Sequence, residues 1–188
     1  MSLFWAVFVF LIFQRLVELR IAKRNEIWMK QQGAIEFGKE HYGLMVAMHI
    51  AFFVSLMLEV ILFKDTANQY WPVILGLFII TQAFRVWIIK SLQRYWNTKI
   101  LVIPNAKVIK SGPYRWMKHP NYLVVTVELL LIPLLFNAYL TLCLFFVLNQ
   151  IILSIRIPQE EAILSQWTEY GTEFEEHARF IPSLSKKE

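Results

Sequence analysis

The chain has few of the residues that stabilise small secreted domains or metal sites. One cysteine, Cys143, occurs in 188 residues, and it lies within an apolar run. An intramolecular disulfide needs two cysteines, and a structural zinc site needs companion ligands that this cysteine lacks. Four histidines are too scattered along the chain for metal-ligand spacing: His41, His49, His119 and His177. The sequence therefore predicts no metal and no disulfide framework.

Charge is also scarce in this chain. Charged residues make up 18% of it, whereas 57% of the residues are apolar. Soluble domains carry about 25% charged residues, and here the charges cluster between long apolar blocks. This pattern is typical of a polytopic membrane protein. The net charge of +5 then indicates basic loops facing an anionic inner leaflet. No basic run interleaved with glycines or repeated aromatics suggests a nucleic-acid partner.

Five apolar segments predict transmembrane helices. The predicted spans cover about residues 3–22, 44–63, 72–90, 122–136 and 138–157. The fourth is short for a full crossing, which takes roughly 20 residues. Because only Asn137 separates it from the fifth span, the turn between them could lie inside the bilayer or near its surface. We therefore predict an all-α integral membrane protein with about five transmembrane helices, forming a single domain over residues 1–188.

The segments between the spans are polar. Residues 23–43 are expected to form a loop, and residues 91–121 a longer one that binds a cofactor. Within the longer loop, residues 101–103 and 108–109 flank a predicted turn, which would make a short β-hairpin. The tail over residues 158–182 is amphipathic, and the acidic residues after Pro158 suit the positive end of a new helix.

Lysine and arginine counts predict the orientation of the chain in the membrane. Residues 14–43 contain six, residues 90–121 contain seven and the chain from Arg156 onward contains four. Residues 64–71 contain one, and the turn at Asn137 contains none. The positive-inside rule then places the N-terminus outside and the C-terminus in the cytoplasm. The protein is thus predicted to be a multi-pass protein of the cell membrane, with its long loop and tail on the cytoplasmic side.

Two clusters of polar, aromatic and rigid residues flank the last pair of spans. The first precedes the fourth span and reads Gly112-Pro113-Tyr114-Arg115-Trp116-Met117-Lys118-His119-Pro120-Asn121-Tyr122. The second follows the fifth span and contains Glu160, Glu161, Leu164, Tyr170, Gly171, Phe174, Arg179, Phe180, Ile181 and Pro182. A membrane anchor has no need of such polar chemistry at the lipid boundary, so these clusters indicate a functional site.

The two clusters resemble the paired motifs of the isoprenylcysteine carboxyl methyltransferase family. That family has Gly-Pro-Tyr, then Arg-His-Pro-x-Tyr, then a Glu-Glu pair and a basic-apolar-Pro ending. Here Lys118 stands where the family has arginine. Residues 92–100 are similar to the bacterial branch, which includes enzymes that methylate alkylpyrones made by type III polyketide synthases. The resemblance covers about residues 80–182. It implies a small helical membrane methyltransferase whose tail covers S-adenosylmethionine.

The resemblance implies roles for several of these side chains. S-adenosylmethionine needs hydrogen-bond donors for its carboxylate, acceptors for its ribose and amine, and flat walls for its adenine. His119 and the backbone near Gly112 would bind the carboxylate, while Glu160 and Glu161 would accept hydroxyl or ammonium protons. The predicted cofactor-binding residues are Gly112, Pro113, Tyr114, Lys118, His119, Pro120, Tyr122, Glu160 and Glu161.

Tyr114 and Tyr122 would wall the adenine or face the sulfonium. Several of the other residues also have a structural interpretation. Pro113 and Pro120 would shape the site as a rigid turn and a helix start without touching the chemistry. Lys118 could instead meet lipid phosphates. A histidine before a proline can simply cap a helix entrance, and the glutamates can favour a helix N-terminus.

Two charged residues near the predicted spans are candidates for catalysis. Glu128 lies seven residues into an apolar helix, where a lone carboxylate is costly. It should be paired, protonated or facing a polar cavity, and Gln82 and Arg85 are its candidate partners. Arg156 lies at the inner end of the last span, where snorkelling is the default interpretation. The resemblance adds a role beside the cofactor or the acceptor.

The sequence therefore predicts a membrane methyltransferase that uses S-adenosylmethionine and a lipophilic small-molecule acceptor. The favoured reaction is O-methylation of an alkylpyrone-like polyketide. An isoprenylcysteine carboxylate or a phospholipid amine is an alternative acceptor. Alternatives of other classes are a reductase that binds a nicotinamide and a non-enzymatic membrane subunit. An isoprenylcysteine carboxylate and an enolic pyrone are both already acidic, so neither acceptor demands a strong general base.

Overall fold

The computed structural model describes residues 2–63 and 67–180 of the chain. In chain order its elements are α1 (Ser2–Gln31), β1 (Ile35–Phe37), α2 (Lys39–Phe63), α3 (Trp71–Leu92), β2 (Ile100–Val102), α4 (Pro120–Leu135), α5 (Tyr139–Trp167) and α6 (Tyr170–Glu173). Short 3-10 turns occur at Gln93–Tyr95 and Gly112–Arg115. Parts of the predicted features, at residues 64–66 and 181–182, lie outside the described residues.

The helices confirm the predicted class of an all-α integral membrane protein. Within the described ranges, α1, α2, α3 and α5 are long and apolar enough to cross a membrane, and α4 is a shorter apolar helix of 16 residues. Large apolar side chains point away from the bundle on several helices, such as Phe13, Leu62 and Leu140. Such exposure is costly in water but suits lipid, because lipid tails are as apolar as these side chains.

Aromatic and aliphatic side chains fill the centre of the bundle. Phe4 and Leu11 of α1, Phe52 and Val60 of α2, and Phe145 of α5 are all buried in one hydrophobic cluster. The chain turns from α4 to α5 at the predicted position, where Asn137 has a φ of 57°. Asparagine tolerates this left-handed backbone better than most residues.

The polar loop predicted over residues 23–43 is wrong in its first part, because α1 continues to Gln31. Its polar residues are paired along the helix: Glu26 accepts from Lys30 at 2.6 Å and contacts Lys23 at 3.2 Å. Lys99, from the loop after α3, adds a contact to Glu26 at 3.0 Å. The two ion pairs within α1, at three- and four-residue spacing, stabilise the helical turns beyond the apolar span.

The hairpin predicted between residues 101–103 and 108–109 is also wrong. Strand β2 pairs antiparallel with β1, with Leu101 opposite Glu36. All three residues of β2 are buried. Burial therefore favours pairing of β2 with the distant strand β1, and not with the residues that follow it in the chain. Lys30 and Lys99 flank the strands and hydrogen-bond to Glu36. Burial alone would raise the pKa of the Glu36 carboxyl, but the two lysines outweigh this effect and hold the pKa below its usual value.

The tail was expected to begin a new helix at Pro158, but α5 runs through Pro158 to Trp167. A proline inside a helix removes one backbone hydrogen bond and normally breaks it. Here the turns after Pro158 pack against α6, and tertiary packing of this kind often overrides local propensity. Glu160 and Glu161 therefore stand on a continuous helix and are not near its N-terminus.

Candidate functional site

A cavity of about 480 Å³ enters the helical bundle beside the loop that precedes α4. This volume falls within the range of small-molecule sites. Most of its wall is apolar, and the polar lining forms two groups. The group near the loop and tail contains Thr98, Tyr114, Lys118, His119, Tyr122, Arg156, Glu160 and Tyr170. The group deeper in the bundle contains Arg15, Glu18, His49, Arg85 and Asn149.

His119 joins the loop, the tail and α5. It directly precedes α4, its side chain is buried, and its backbone N–H donates to the carbonyl of Arg179 at 3.0 Å. The imidazole Nε2 lies 2.9 Å from Oε1 of Glu161. Arg179 also donates to Glu161, from Nη2 at 2.7 Å and from Nε at 3.1 Å. The tail thus holds Glu161 while Glu161 fixes the histidine ring. Glu161 itself does not line the cavity, whereas His119 does.

Tyr122 lies at the centre of a half-buried polar chain. Its hydroxyl donates to Oε2 of Glu160 and accepts from Nε of Arg156, at 2.8 Å for the second bond. Arg156 Nη2 in turn donates to the backbone carbonyl of Thr98 at 2.6 Å. All four residues line the cavity. Arg156 therefore does not snorkel to the membrane surface, as its position in the sequence suggested, but lies buried beside the cavity.

Two neutral phenols lie beside Glu160. Burial raises the pKa of Tyr114 and of Tyr170, and the negative charge of Glu160 raises both further. The Tyr170 hydroxyl is buried and has no hydrogen-bond partner within residues 2–63 and 67–180. A buried polar atom without a partner commonly marks the place of a ligand or water. Tyr170 belongs to the second sequence motif, where no role was predicted for it.

Besides Glu161, three predicted cofactor-binding residues do not line the cavity: Gly112, Pro113 and Pro120. Gly112 has a φ of +56°, and a Cβ at this position would lie 2.0 Å from Oγ of Ser91 in α3. The glycine therefore allows the 3-10 turn to pack closely on α3. Pro113 is buried, and Pro120 is the first residue of α4. Both positions agree with the shaping role expected for the prolines.

Glu128 is the centre of an ion-pair cluster inside the membrane-spanning part. Its Oε1 accepts from Gln82 Nε2 and from Arg85 Nε, each at 2.7 Å, so the predicted pairing is confirmed. Its Oε2 accepts from Nη2 of Arg85 and Nη2 of Arg15. Glu18 contacts both arginines, at 2.7 and 3.2 Å. The arginines and Glu18 line the cavity, whereas Glu128 lies behind them.

Comparisons with known proteins agree with this architecture. The sequence model of the isoprenylcysteine carboxyl methyltransferase (ICMT) family matches residues 74–166, which run from α3 to the end of α5. The uncharacterized protein YpbQ of Bacillus subtilis (strain 168) is 48% identical over 166 residues, which is 88% of this chain and 99% of that protein. An uncharacterized protein of Haemophilus influenzae is 28% identical over 152 residues, which is 80% of this chain and 88% of that protein.

The matched segment contains both halves of the polar chain, Tyr122 on α4 and Arg156 with Glu160 on α5. In the parts of the chain that the structure describes, no group of three or more His, Cys, Asp or Glu side chains could hold a metal ion. Methyltransferases of the ICMT family typically use S-adenosylmethionine. This protein is a multi-pass membrane protein that belongs to the isoprenylcysteine carboxyl methyltransferase family, a family of membrane methyltransferases.

Proposed function

We propose that this protein transfers a methyl group from S-adenosylmethionine to an oxygen atom of a lipophilic acceptor, with alkylpyrone-like polyketides as the favoured class. The observation that carries this proposal is the hydrogen-bonded chain Arg156–Tyr122–Glu160. It lies in a cavity that connects the tail with the middle of the membrane-spanning bundle. The cavity thus offers a polar end and an apolar end, as a polar methyl donor and an oily acceptor require.

The residues near the loop and tail fit the methyl donor. Glu160 supplies an acceptor for its amine or ribose, and the unpartnered hydroxyl of Tyr170 supplies a donor. Lys118 and His119 line the same part of the cavity and suit its carboxylate. The cofactor supplies an electrophilic methyl group on a sulfonium. Glu161 acts in this proposal by holding His119, and the positive-inside count supports a cytoplasmic location for these residues.

The acceptor would enter from the lipid. Leu16 of α1 and Ile50 of α2 both line the cavity, and each is 60% exposed. Between helices that face lipid, a cavity wall with such exposed apolar side chains would offer a lateral entrance. A long alkyl chain would remain in this apolar part while its polar head reaches the polar chain. This arrangement explains why the cavity wall is predominantly apolar despite its charged ends.

Positioning and exclusion of water would supply most of the rate enhancement. A methyl transfer needs the nucleophile, the methyl carbon and the sulfur in line, and fixing that geometry removes much of the entropic barrier. Arg156 is buried and paired, so it can orient an acidic oxygen without rearranging. We assign Arg156 as the residue in contact with the acceptor. The predicted role of Glu128 becomes one of positioning, because it orients Arg15 and Arg85 from outside the cavity.

The test is methyl transfer to a membrane lipid extract. Purified protein is incubated with tritiated S-adenosylmethionine and the extract, and mass spectrometry locates the added methyl. We expect label on a hydroxyl of a lipophilic product, and Tyr122→Phe and Arg156→Lys should each lower the rate at least about tenfold. Tyr139→Phe is the matched control, because its hydroxyl is exposed and bonds to Asn137 at the other end of α4.

The same experiment distinguishes the alternatives. A labelled carboxyl ester or a labelled phospholipid amine would replace the alkylpyrone assignment while keeping the methyltransferase. Failure to bind S-adenosylmethionine in calorimetry would overturn the proposal as a whole. If both variants also kept the cellular role of the wild type, a non-enzymatic membrane subunit would be the better description.

A further inference from the structure

His49, in the middle of α2, faces the deeper part of the cavity. Its Nδ1 lies 2.8 Å from the backbone carbonyl of Met45, one turn earlier in the same helix. A carbonyl oxygen can only accept, so Nδ1 carries the hydrogen of this bond. In a neutral imidazole the other nitrogen, Nε2, then presents a lone pair. Within the described residues Nε2 makes no hydrogen bond, so the ring offers an unused acceptor.

Arg15 offers an unused donor: it lines the same cavity, and it lies near enough to His49 for its positive charge to act on the ring. Its two terminal nitrogens are engaged, Nη1 with Glu18 at 2.7 Å and Nη2 with Glu128. Its Nε is buried and has no partner in the ranges that the structure describes. An unsatisfied buried donor destabilises the structure that contains it. The ion pairs therefore hold the guanidinium in place but leave one N–H without a bond.

The position of His49 along α2 separates it from the polar chain of Arg156 and Tyr122. The Tyr42 hydroxyl lies 3.3 Å from Oγ1 of Thr98, and the carbonyl of Thr98 accepts from Arg156. His49 follows Tyr42 by seven residues, which is about 10 Å along a helix. His49 therefore lies two helical turns farther along α2 than the residue that contacts Thr98, and the same cavity is lined by His49, Arg15, Tyr122 and Arg156.

We propose that His49 Nε2 and Arg15 Nε form a binding subsite for a hydroxyl group of the lipophilic acceptor. This inference rests on the proposed function and adds the chemistry by which the acceptor is recognised. A hydroxyl donates its proton to the imidazole and accepts from the guanidinium, so it satisfies both atoms at once. A carboxylate would face the imidazole lone pair with lone pairs of its own. Both residues lie outside the segment matched by the ICMT family, residues 74–166, so the family match assigns them no role.

Matched lipophilic probes test the subsite without turnover. The full-length protein in detergent is titrated with 4-dodecylphenol, 4-dodecylanisole and 4-dodecylbenzoate in the absence of the methyl donor. The phenol donates and accepts, its methyl ether only accepts, and the benzoate is anionic. We expect the wild type to bind the phenol about tenfold more tightly than the ether, which corresponds to one buried hydrogen bond, and more tightly than the benzoate.

Two variants assign the preference to the two side chains. His49→Leu removes only a bond within its own helix, and Arg15→Lys keeps the charge near Glu128 while removing Nε. Each should reduce the preference for the phenol to about twofold or less. Ile50→Val, in the same wall of the cavity, should change the affinity for all three probes together and keep their ratio. Gel filtration in detergent verifies that the variants are folded.

Three results would overturn the subsite: equal binding of phenol and ether by the wild type, tightest binding of the benzoate, or an unchanged preference in both variants. None of these results touches the proposed function, because methyl transfer to lipid extract is measured separately. Conversely, a protein that shows the hydroxyl preference but never binds S-adenosylmethionine would retain the subsite and lose the methyltransferase assignment.

Discussion

His119 and Glu161 are 42 residues apart in the chain, and their Nε2 and Oε1 atoms lie 2.9 Å apart. The first belongs to the loop that precedes α4, and the second belongs to the C-terminal part of α5. Arg179 of the tail donates to the same carboxylate. Three segments thus meet at one carboxylate, and the imidazole that lines the cavity is fixed from outside the cavity.

His119→Ala and Glu161→Ala should therefore each strongly weaken the binding of S-adenosylmethionine. Removing a hydrogen bond to a charged group costs enough to weaken binding by up to about hundredfold. Glu161→Gln should lose less, because its amide oxygen still accepts from Arg179. Isothermal titration of the purified variants measures the effect, and Glu176→Ala on the exposed tail serves as control. Normal affinity in both alanine variants would mean that the cofactor binds elsewhere.

Tyr122→Phe should separate stability from activity. The change deletes a hydroxyl that both donates to Glu160 and accepts from Arg156, and leaves the buried Arg156 and the half-buried Glu160 each with one partner fewer. We expect the free energy of unfolding to fall by about 1–3 kcal/mol. Methyl transfer should fall more steeply than cofactor binding, because Arg156 loses its orientation. Thermal unfolding in detergent and single-turnover methyl transfer report the two effects independently. Equal losses in both would indicate a purely structural tyrosine.

The sequence predicted the parts of this site that depend on local order. Apolar runs predicted the helices, because a span of membrane needs about 20 apolar residues. The isolation of Glu128 in an apolar run correctly predicted a pairing with Gln82 and Arg85, because an unpaired carboxylate there is too costly. The resemblance, carried by His119 and its neighbours, predicted the methyltransferase family.

Contacts between distant segments could not be predicted in this way. Nothing near residues 100–102 indicates that their partner strand begins at Ile35, since the pairing depends on burial of β2 in the folded protein. The continuation of α5 through Pro158 likewise depends on its packing against α6. The unpartnered atoms of Arg15 and Tyr170 are visible only once the surrounding helices are in place.

Gly112→Ala should destabilise the loop that precedes α4. An added Cβ would meet Oγ of Ser91 at 2.0 Å, and the φ of +56° is unfavourable for alanine. Steric overlap and backbone strain together should cost about 2 kcal/mol or more. Gly43→Ala is the matched control, because a Cβ there meets nothing within 4 Å and alanine favours the helix. Thermal unfolding of both variants measures the difference, and equal unfolding temperatures would contradict the tight packing on α3.

The last prediction concerns the ion pairs of Glu128, which connect α1, α3 and α4. Glu128→Met leaves Arg85 buried with only a 3.2 Å contact to Glu18, and breaking a buried pair in this way costs about 3–5 kcal/mol. Arg85→Met should cost a similar amount because it removes the main partner of the carboxylate.

The double variant should be more stable than the sum of the single losses, because two apolar side chains replace a pair of charges. Denaturant unfolding of all four proteins in the same detergent completes the cycle. Lys110→Ala, which removes a partly exposed ion pair with Glu173, should change nothing measurable. Strictly additive losses for Glu128 and Arg85 would show that the two side chains stabilise the bundle independently, and would remove the basis for assigning Glu128 a positioning role.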